Sequence, residues 1–293
     1  MENKFNFGWL EDKYDERDYT VKHEQVKEFY KAIKVSKLPS KVDLTSKDTP
    51  IMDQGDLGSC TANSQCATLQ FNEKNFSKKP YVIASRLFLY YVTRRYIMGV
   101  NGDTGASIRD TIKALGKYGT PPEEEYPYDV KKFDDTPPEK AFTDALIYKA
   151  VTYTRLTSLN QIKQFIAQGY PVNFGTNLYN NILNDQGYCI NSPDIPYPKP
   201  SDQSIGGHAM VIVGYDDNYN INDGKGAFMI RNSWGESWGN KGYGWIDYRY
   251  FSTGLASDFW VLLKNAYMAA VVAENKSFLD KLKDLFLSLI GRR

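Results

Sequence analysis

The sequence predicts an α+β fold of two lobes with a cleft between them, and two observations support this prediction. Helix-like patterns fill the first half of the 293-residue chain, whereas short β-branched and aromatic runs bounded by Gly, Asn, Asp or Pro fill the second half. The change falls at the charged, proline-bearing segment 131–140. Elements segregated in this way are typical of α+β proteins, so we expect a helical lobe over about 55–130 and a β-rich lobe over about 140–262.

The first half begins with an N-terminal extension, residues 1–37. Apolar residues within it recur at the spacing of one helix face, which predicts a helix over 24–35. Pro39 disfavours helix at the residue before it and predicts extended chain over 38–45. Further helices are predicted over 60–71, 84–96 and 107–118, the last one ended by Gly119 and Pro121–Pro122.

The second half is predicted to be mainly strands, with one helix over 158–169. The predicted strands are 147–156, 170–176, 208–217, 226–234, 243–251 and 258–263. We place the domain proper at 38–265 and a C-terminal tail at 266–293. The tail contains an amphipathic helical pattern over 276–290, which packs on the body or a neighbouring subunit or, alternatively, contacts a membrane surface.

Composition excludes several classes of protein. A formal net charge of +1 gives no electrostatic reason to expect nucleic acid or an anionic membrane as a partner. The charged N-terminus has no apolar core of signal-peptide length, and no run of 18 apolar residues is present. Cys60, Cys66 and Cys189 are an odd, sparse set, which is unlike a disulfide framework and favours an intracellular, reducing compartment. The abundance of Tyr, Asn and Lys is typical of an AT-rich coding source such as a large DNA virus, for which the virion or host cytoplasm is the corresponding location.

Cys60 stands where a reactive thiol is expected. It follows the polar, glycine-rich stretch MDQGDLGS and begins a predicted helix, whose N-terminus favours a thiolate. Cys66 instead shares one helix face with Ala62 and Leu69, so we expect it to be a core residue.

A nucleophilic thiol needs a base, and the chain has only two histidines. His23 lies in a charged stretch of the extension, where we expect a solvated surface residue. His208 begins an apolar strand after Gly206–Gly207 and can stand at a sheet edge beside the cleft. A histidine base must be held in one tautomer by a third group, and Asn232 at the end of another apolar strand suits this role.

Two further features complete the predicted site. Trp234 and Trp238 can cover the hydrogen bond between Asn232 and His208 and keep water from competing for it. The oxyanion of a tetrahedral intermediate needs donors, which the Gln54 side chain and the backbone N–H of Cys60 can supply.

These residues lie in motifs that resemble those of the papain-like cysteine peptidases, the cathepsin family. The matching stretches are QGDLGSCT at 54–61, GHA at 207–209 and NSWGESWGNKGY at 232–243. The resemblance covers about residues 38–262 and includes NGDTGASIRDTIKALGKYG, which is similar to the segment that lines the family's substrate cleft.

The resemblance implies a papain-like fold, with a helical left lobe, an antiparallel β-rich right lobe and the active site between them. It implies a thiol protease that hydrolyses a peptide or protein substrate through an acyl-thioester on Cys60, with His208 as base and then acid. Asn232 would orient the imidazole and Gln54 would help to bind the oxyanion, and we expect no metal or cofactor. The candidate substrate-binding residues are Gly58, Ser59, Asn101, Gly102, Asp103, Gly207, Ala209 and Trp234.

Some positions depart from the family pattern. Leu57 replaces a disulfide cysteine, Thr61 replaces a tryptophan, and Asp103 replaces the second glycine of the substrate-binding pair, where its charge would favour basic substrate residues. The extension lacks the long helical pattern of a cathepsin pro-segment, so it either covers the cleft or braces the fold.

Two other functions use the same residues. A catalytically silent peptide-binding or scaffolding protein is the main alternative, since Asp103, Thr61 or the proline-rich loop 191–207 would block the cleft in that case. The third is acyl transfer to an amine instead of water.

Overall fold

The computed structural model describes residues 7–77, 81–187 and 189–265. The helices in that part of the chain are α1 (Glu24–Ile33), α2 (Cys60–Phe76), α3 (Arg86–Val92), α4 (Ile108–Lys117), α5 (Glu139–Ala145), α6 (Leu159–Ala167) and α7 (Arg249–Ser252). The strands are β1 (Trp9–Leu10), β2 (Lys41–Asp43), β3 (Ala106–Ser107), β4 (Ala150–Leu156), β5 (Val172–Tyr179), β6 (Ser204–Ile221), β7 (Gly224–Arg231), β8 (Tyr243–Asp247) and β9 (Ala256–Asn265). The predicted α+β fold is confirmed.

The helical lobe is built around α2, which is buried from Cys60 through Glu73. This helix packs against α3, α4, β5, β6 and β9. Cys66 lies in the core, as predicted. The helix continues beyond its predicted end because Asn72, polar yet buried, donates through Nδ2 to the carbonyl oxygen of Leu262 at 2.9 Å.

Side-chain caps fix where α3 and α4 begin. Ser85 Oγ accepts from the Phe88 N–H, and Ser107 Oγ accepts from the Asp110 N–H. A turn of π-helix over 93–98 follows α3 and ends at Gly99, whose φ of 72° suits a residue without a Cβ. The predicted helix 84–96 is therefore interrupted after Val92.

The β-rich lobe is one antiparallel sheet with the order β4-β9-β5-β6-β7-β8, and β2 pairs with β6. A cluster of buried apolar side chains lies between this sheet, α1 and α6, and a second cluster fills the helical lobe. Thr176 on β5 pairs with His208 on β6, so the sheet register fixes the position of His208 within a paired strand that packs against α2.

Helix α5 and the end of β8 also differ from the sequence prediction. Helix α5 was not expected, because its buried residues are Ala141 and Ala145, which give little periodic apolar signal beside the charged segment. The predicted strand 243–251 ends at Asp247, whose carboxylate accepts from the N–H and the guanidinium of Arg249 and so begins α7.

The extension is partly a structural brace. Val26 on α1 is fully buried, and Tyr30 stacks on Phe165 of α6 with ring centroids 5.7 Å apart. We expected His23 to be a solvated surface residue, and this is wrong. Its side chain is half-buried and stacks on Tyr19, with ring centroids 4.0 Å apart. The predicted helix 276–290 lies outside the described residues, and no helix among those described is long and apolar enough to cross a membrane.

Candidate active site

Cys60 is the first residue of α2 and has no exposed surface. Burial raises the pKa of its thiol to about 11, although the backbone N–H groups of Ala209 and Gly8, which lie within hydrogen-bonding reach of the sulfur, act in the opposite direction. Because Ala209 directly follows His208, this contact places the sulfur beside the strand that carries the base.

His208 and Asn232 form the predicted hydrogen bond. His208 Nε2 lies 2.8 Å from Asn232 Oδ1, which also accepts from the Ser233 N–H at 2.8 Å. An amide oxygen only accepts, so Nε2 carries the proton and Nδ1 is the basic nitrogen of the neutral ring. Nδ1 is buried and has no hydrogen-bond partner among the described residues, so it is available to take a proton. Burial lowers the pKa of His208 to about 4, and the bond to Asn232 acts against this shift.

Aromatic rings shield this pair as predicted. Trp234 stacks on His208 with ring centroids 4.7 Å apart, and Trp238 meets Trp234 edge-on at 5.5 Å. Phe7 meets both His208 and Trp234 edge-on, with ring centroids 6.3 Å away.

Gln54 is fully buried and joins the two lobes at the site. Its backbone N–H donates to the Ser233 carbonyl at 2.8 Å, and its Oε1 accepts from Ser233 Oγ at 2.5 Å. Its Nε2 donates to the Leu57 carbonyl at 2.9 Å, within the loop that leads to Cys60. Ser233 therefore links Gln54 to Asn232, Asn232 binds His208, and the Cys60 sulfur lies at the backbone of Ala209, next to His208 but not hydrogen-bonded to its Nδ1.

The cleft beside this site is occupied by residues 7–12, which we call the N-terminal arm. Its strand β1 pairs in parallel with β3, Trp9 opposite Ala106, and the Ala106 N–H donates to the Gly8 carbonyl at 2.8 Å. Gly8 lies against the backbone of Gly58, so closely that a Cβ at residue 8 would come within 1.9 Å of the Gly58 oxygen. The arm thus runs through the cleft as an extended strand.

Glycines make room for the arm's side chains. A Cβ at Gly175 would lie 2.0 Å from the Trp9 ring, one at Gly207 would lie 2.7 Å from it, and one at Gly206 would lie 2.6 Å from Phe7. Trp9 is consequently buried, with 6% of its surface exposed. Gly207 was among the predicted substrate-binding residues, whereas Gly175 and Gly206 were not. Gly175 lies within the predicted strand 170–176, where a glycine can indicate a close approach of another backbone or side chain, and Gly206 lies just before the predicted strand 208–217.

The arm is anchored at its far end by Asp12. The Asp12 carboxylate accepts from Trp260 Nε1 at 2.9 Å and from the Arg109 N–H at 3.2 Å, and its own N–H donates to the Asp258 carboxylate at 2.7 Å. Asp258 also pairs with Arg155 at 2.7 Å. Buried polar contacts of this kind hold one end of the arm in a defined position.

The N-terminal arm pairs with the backbone of Ala106. The sequence had instead predicted that Asn101, Gly102 and Asp103 bind an extended peptide. The Gly102 N–H donates to Asp134 at 3.3 Å, and Asn101 is exposed. Both Gly102 and Gly105 have positive φ, so the local sequence offers two glycine turns and does not distinguish them.

Asp103 is used within the protein, although its residue surface is exposed. Its carboxylate accepts from the Gly58 N–H at 3.0 and 3.1 Å and from the Tyr90 hydroxyl at 2.5 Å. It therefore shapes the cleft edge next to Gly58.

The other candidate residues and the departures from the family pattern have identifiable places. Ser59 binds Tyr128 and Asn63, Leu57 is buried in the helical core, and the Thr61 hydroxyl accepts from Thr111 at 3.0 Å. The proline-rich loop packs along β8, where the N–H of its residue 195 donates to the carbonyl of residue 245 at 2.9 Å.

Known proteins resemble this chain in sequence and in fold. The sequence profile described as papain family cysteine protease matches residues 38–261. An uncharacterized peptidase C1-like protein of Acanthamoeba polyphaga mimivirus is 32% identical over 281 residues, which are 88% of this chain and 86% of that protein. Mouse cathepsin K is 27% identical over 209 residues, 71% of this chain and 59% of its own length. The crystal structure of xylellain, a cysteine protease from Xylella fastidiosa, superposes with a TM-score of 0.76 at 38% identity and covers 89% of this chain and 97% of its own.

Proposed function

Because this chain belongs to the papain family of cysteine proteases and is a cysteine peptidase, we propose which residues carry its reaction and what state the structure represents. Cys60 is the nucleophile, His208 the base and acid, Asn232 the residue that orients the imidazole, and Gln54 an oxyanion donor. The structure represents a latent state in which the N-terminal arm closes the cleft.

The reaction follows from the protonation of each group. His208 Nδ1 takes the proton of the Cys60 thiol, and the thiolate attacks the carbonyl carbon of the substrate. The oxyanion is bound by the Cys60 N–H and by Gln54 Nε2, which leaves the Leu57 carbonyl. The imidazolium then protonates the leaving amine as the C–N bond breaks, and the acyl group stays on sulfur. His208 next removes a proton from water, whose oxygen attacks the thioester, and the acid product leaves as the thiol regains its proton.

The arm's backbone direction supports the latent state. The atom of Gly8 that reaches the sulfur is an N–H, which cannot accept a nucleophile, and the Gly8 carbonyl is bound by the Ala106 N–H. The arm therefore excludes substrate from the cleft, and its Gly8 carbonyl stays bound to the Ala106 N–H.

The contacts of Asp103, Thr61 and the loop 191–207 argue against the catalytically silent alternative. Asp103 binds Gly58 and Tyr90, Thr61 is buried against Thr111, and the loop packs along β8. The cleft is filled instead by the arm, which is a removable obstacle.

The experiment is peptide hydrolysis by the chain with Trp9→Ala. Emptying the pocket of Gly175 and Gly207 removes the burial of a large aromatic side chain, so we expect hydrolysis of a fluorogenic peptide at least about tenfold faster than by the unaltered chain. Leu10→Ala is the matched control, because the neighbouring Leu10 is 44% exposed and should leave the rate unchanged.

The covalent step is checked by mass. A thiol-directed epoxide should add one adduct to the Trp9→Ala chain and none when Cys60→Ala is added, and that second change should abolish hydrolysis. A Trp9→Ala chain that neither hydrolyses peptides nor takes up the epoxide contradicts the proposal.

We also propose that the protein acts in a reducing compartment. Cys60, Cys66 and Cys189 are free thiols, and oxidation of the buried Cys60 would abolish the nucleophile.

A further inference from the structure

Tyr128 connects the two ends of the loop that carries both oxyanion donors. Its hydroxyl donates to the Gln54 carbonyl at 2.9 Å and lies 2.5 Å from Ser59 Oγ. Gln54 supplies one oxyanion donor through its side chain, and Ser59 is bonded directly to Cys60, whose N–H is the other. The Tyr128 hydroxyl therefore contacts the backbone of Gln54 and also the side chain of Ser59, the residue before Cys60.

The protons of this network can be assigned. Since the Tyr128 hydroxyl gives its single proton to the Gln54 carbonyl, Ser59 Oγ must donate to the Tyr128 oxygen. Asn63 Nδ2 in turn donates to Ser59 Oγ and to the Ser59 carbonyl, both at 3.0 Å. Every link in the chain from Asn63 to Gln54 has one donor and one acceptor.

Arg86 fixes the ring that carries this hydroxyl. Its guanidinium lies 4.0 Å above the Tyr128 ring and donates to the Asp53 carbonyl at 3.0 Å and to Asn63 Oδ1 at 3.1 Å. It also pairs with Glu123 at 2.8 Å, and only 9% of the Arg86 side chain is exposed. Tyr128 is thereby clamped between a buried cation and the loop.

We propose that Tyr128 is a positioning residue that sets the separation of the Gln54 and Cys60 oxyanion donors. The inference rests on the proposed function of these two residues. Without the hydroxyl, the Gln54 end of the loop loses its tie to the Cys60 end, and displacement of a positioned group by about 1 Å can cost about a hundredfold in rate. Loss of oxyanion binding should affect the tetrahedral intermediate and leave substrate binding and thiolate formation unchanged.

The test compares Tyr128→Phe with Tyr126→Phe, both in the Trp9→Ala chain. Tyr126 is a suitable control because it is two residues away, is buried, and donates to the carbonyls of Lys132 and Asp135, away from the oxyanion loop. We expect Tyr128→Phe to lower kcat about tenfold to a hundredfold with KM changed less than about threefold, and Tyr126→Phe to leave kcat within about twofold.

Two thiol reagents separate positioning from general loosening of the fold. A peptide aldehyde forms a hemithioacetal whose oxygen needs the oxyanion donors, so its affinity should fall in parallel with kcat. Iodoacetamide alkylates Cys60 without forming an oxyanion, so its rate should stay within about twofold. Equal losses with both reagents, or a kcat equal to that of the Tyr126→Phe control, would overturn the inference.

Ser59→Ala provides a second variant that keeps the aromatic ring in place. It removes the link on the Cys60 side and should show the same difference between aldehyde and iodoacetamide. If the Trp9→Ala chain with native Tyr128 hydrolyses no peptide, the proposed function itself fails, and that outcome is distinct from active enzyme with no effect of Tyr128→Phe.

Discussion

At the scale of the residue, the central feature is that burial keeps Cys60 and His208, the proposed nucleophile and base, neutral. Burial raises the pKa of Cys60 to about 11 and lowers that of His208 to about 4, so at neutral pH the proton stays on sulfur and the imidazole stays uncharged. A thiolate–imidazolium pair needs solvent or dipoles to stabilise both charges. In the proposed latent state, the closed cleft therefore suppresses thiolate formation at Cys60 electrostatically and also blocks access to it sterically.

Asn232→Ala tests the role of the orienting amide. The change leaves the buried Nε2–H of His208 without its acceptor at 2.8 Å, and an unpaired buried donor costs about 1–3 kcal/mol. In the Trp9→Ala chain we expect kcat to fall about tenfold to a hundredfold, measured with a fluorogenic peptide. Asn220→Ala, an exposed change on β6, serves as the control, and equal rates for the two variants would refute the role.

At the scale of the element, the arm combines an apolar plug with a charged anchor. Trp9 fills a pocket lined by glycines, and Asp12 is held beside Asp258 on β9. Charged groups around this anchor include Arg109 and Arg155, which also bind Asp18 at 2.6 and 2.9 Å. The same cluster thus fastens the arm to both lobes.

The anchor predicts a dependence of stability on pH. Burial, and then the charge of Asp12, raise the pKa of Asp258 to about 7, so the folded chain holds a proton there that the unfolded chain releases near pH 4. The stability due to this proton is fully present below about pH 4 and is lost as pH rises to about 7, by an amount on the order of 2–4 kcal/mol.

Asp258→Asn should remove this dependence. Asn tolerates the left-handed backbone that Asp258 adopts, with φ 55°, and it carries no titrating proton. The measurement is the free energy of unfolding in urea from pH 4 to 8, made in the Cys60→Ala chain with and without Asp258→Asn. Over this range the free energy should fall more steeply in the chain that keeps the native aspartate. Parallel curves for the two chains would contradict the prediction.

The sequence predicts those elements and site residues whose signals lie within a few neighbouring positions. Helix α4 has an N-cap serine and a terminating glycine within a few residues, and Cys60, His208 and Asn232 each stand in a recognisable short motif. Helix α5 was missed because its buried side chains are alanines. A helix or a site residue is therefore predicted when the residues that define it are close together in the sequence, and it is missed otherwise.

The cleft itself could not be derived in this way. Ala106 binds the arm because the fold places Trp9 opposite it. Trp9 also contacts Gly175 and Gly207, which lie more than 160 residues later in the sequence. A two-residue strand such as β1 has no periodicity to read. Contacts between residues so far apart in the sequence form only when the two lobes pack, and no short stretch of sequence predicts them.

At the scale of the whole molecule, a buried ion pair ties the segment leading to the cysteine loop onto the sheet. Arg231, the residue before Asn232, pairs with Asp48 and donates to the carbonyls of Thr49 at 3.0 Å and Pro50 at 2.6 Å. Both side chains of the pair are less than 5% exposed. Buried polar groups therefore fasten the segment before the cysteine loop to β7, next to Asn232.

Asp48→Ala should destabilise the whole fold. It leaves the Arg231 charge buried without its partner, which costs about 3–5 kcal/mol in the free energy of unfolding. Glu28→Ala breaks an exposed pair with Lys31, in which the Glu28 side chain is 77% exposed, and should leave the free energy of unfolding nearly unchanged. The free energy of unfolding in urea is measured for both variants. Similar losses of stability in the two would contradict the prediction that the buried pair contributes more than the exposed one.

The most direct test of a thiol peptidase held latent by its arm is the rate of Cys60 alkylation by iodoacetamide as a function of pH, followed by peptide mass spectrometry. In the unaltered chain and in the Leu10→Ala chain, the rate should stay low at neutral pH and rise only toward the pKa of about 11. In the Trp9→Ala chain, Cys60 should react rapidly at neutral pH. Equal rates at pH 7 in the unaltered and Trp9→Ala chains would contradict the account.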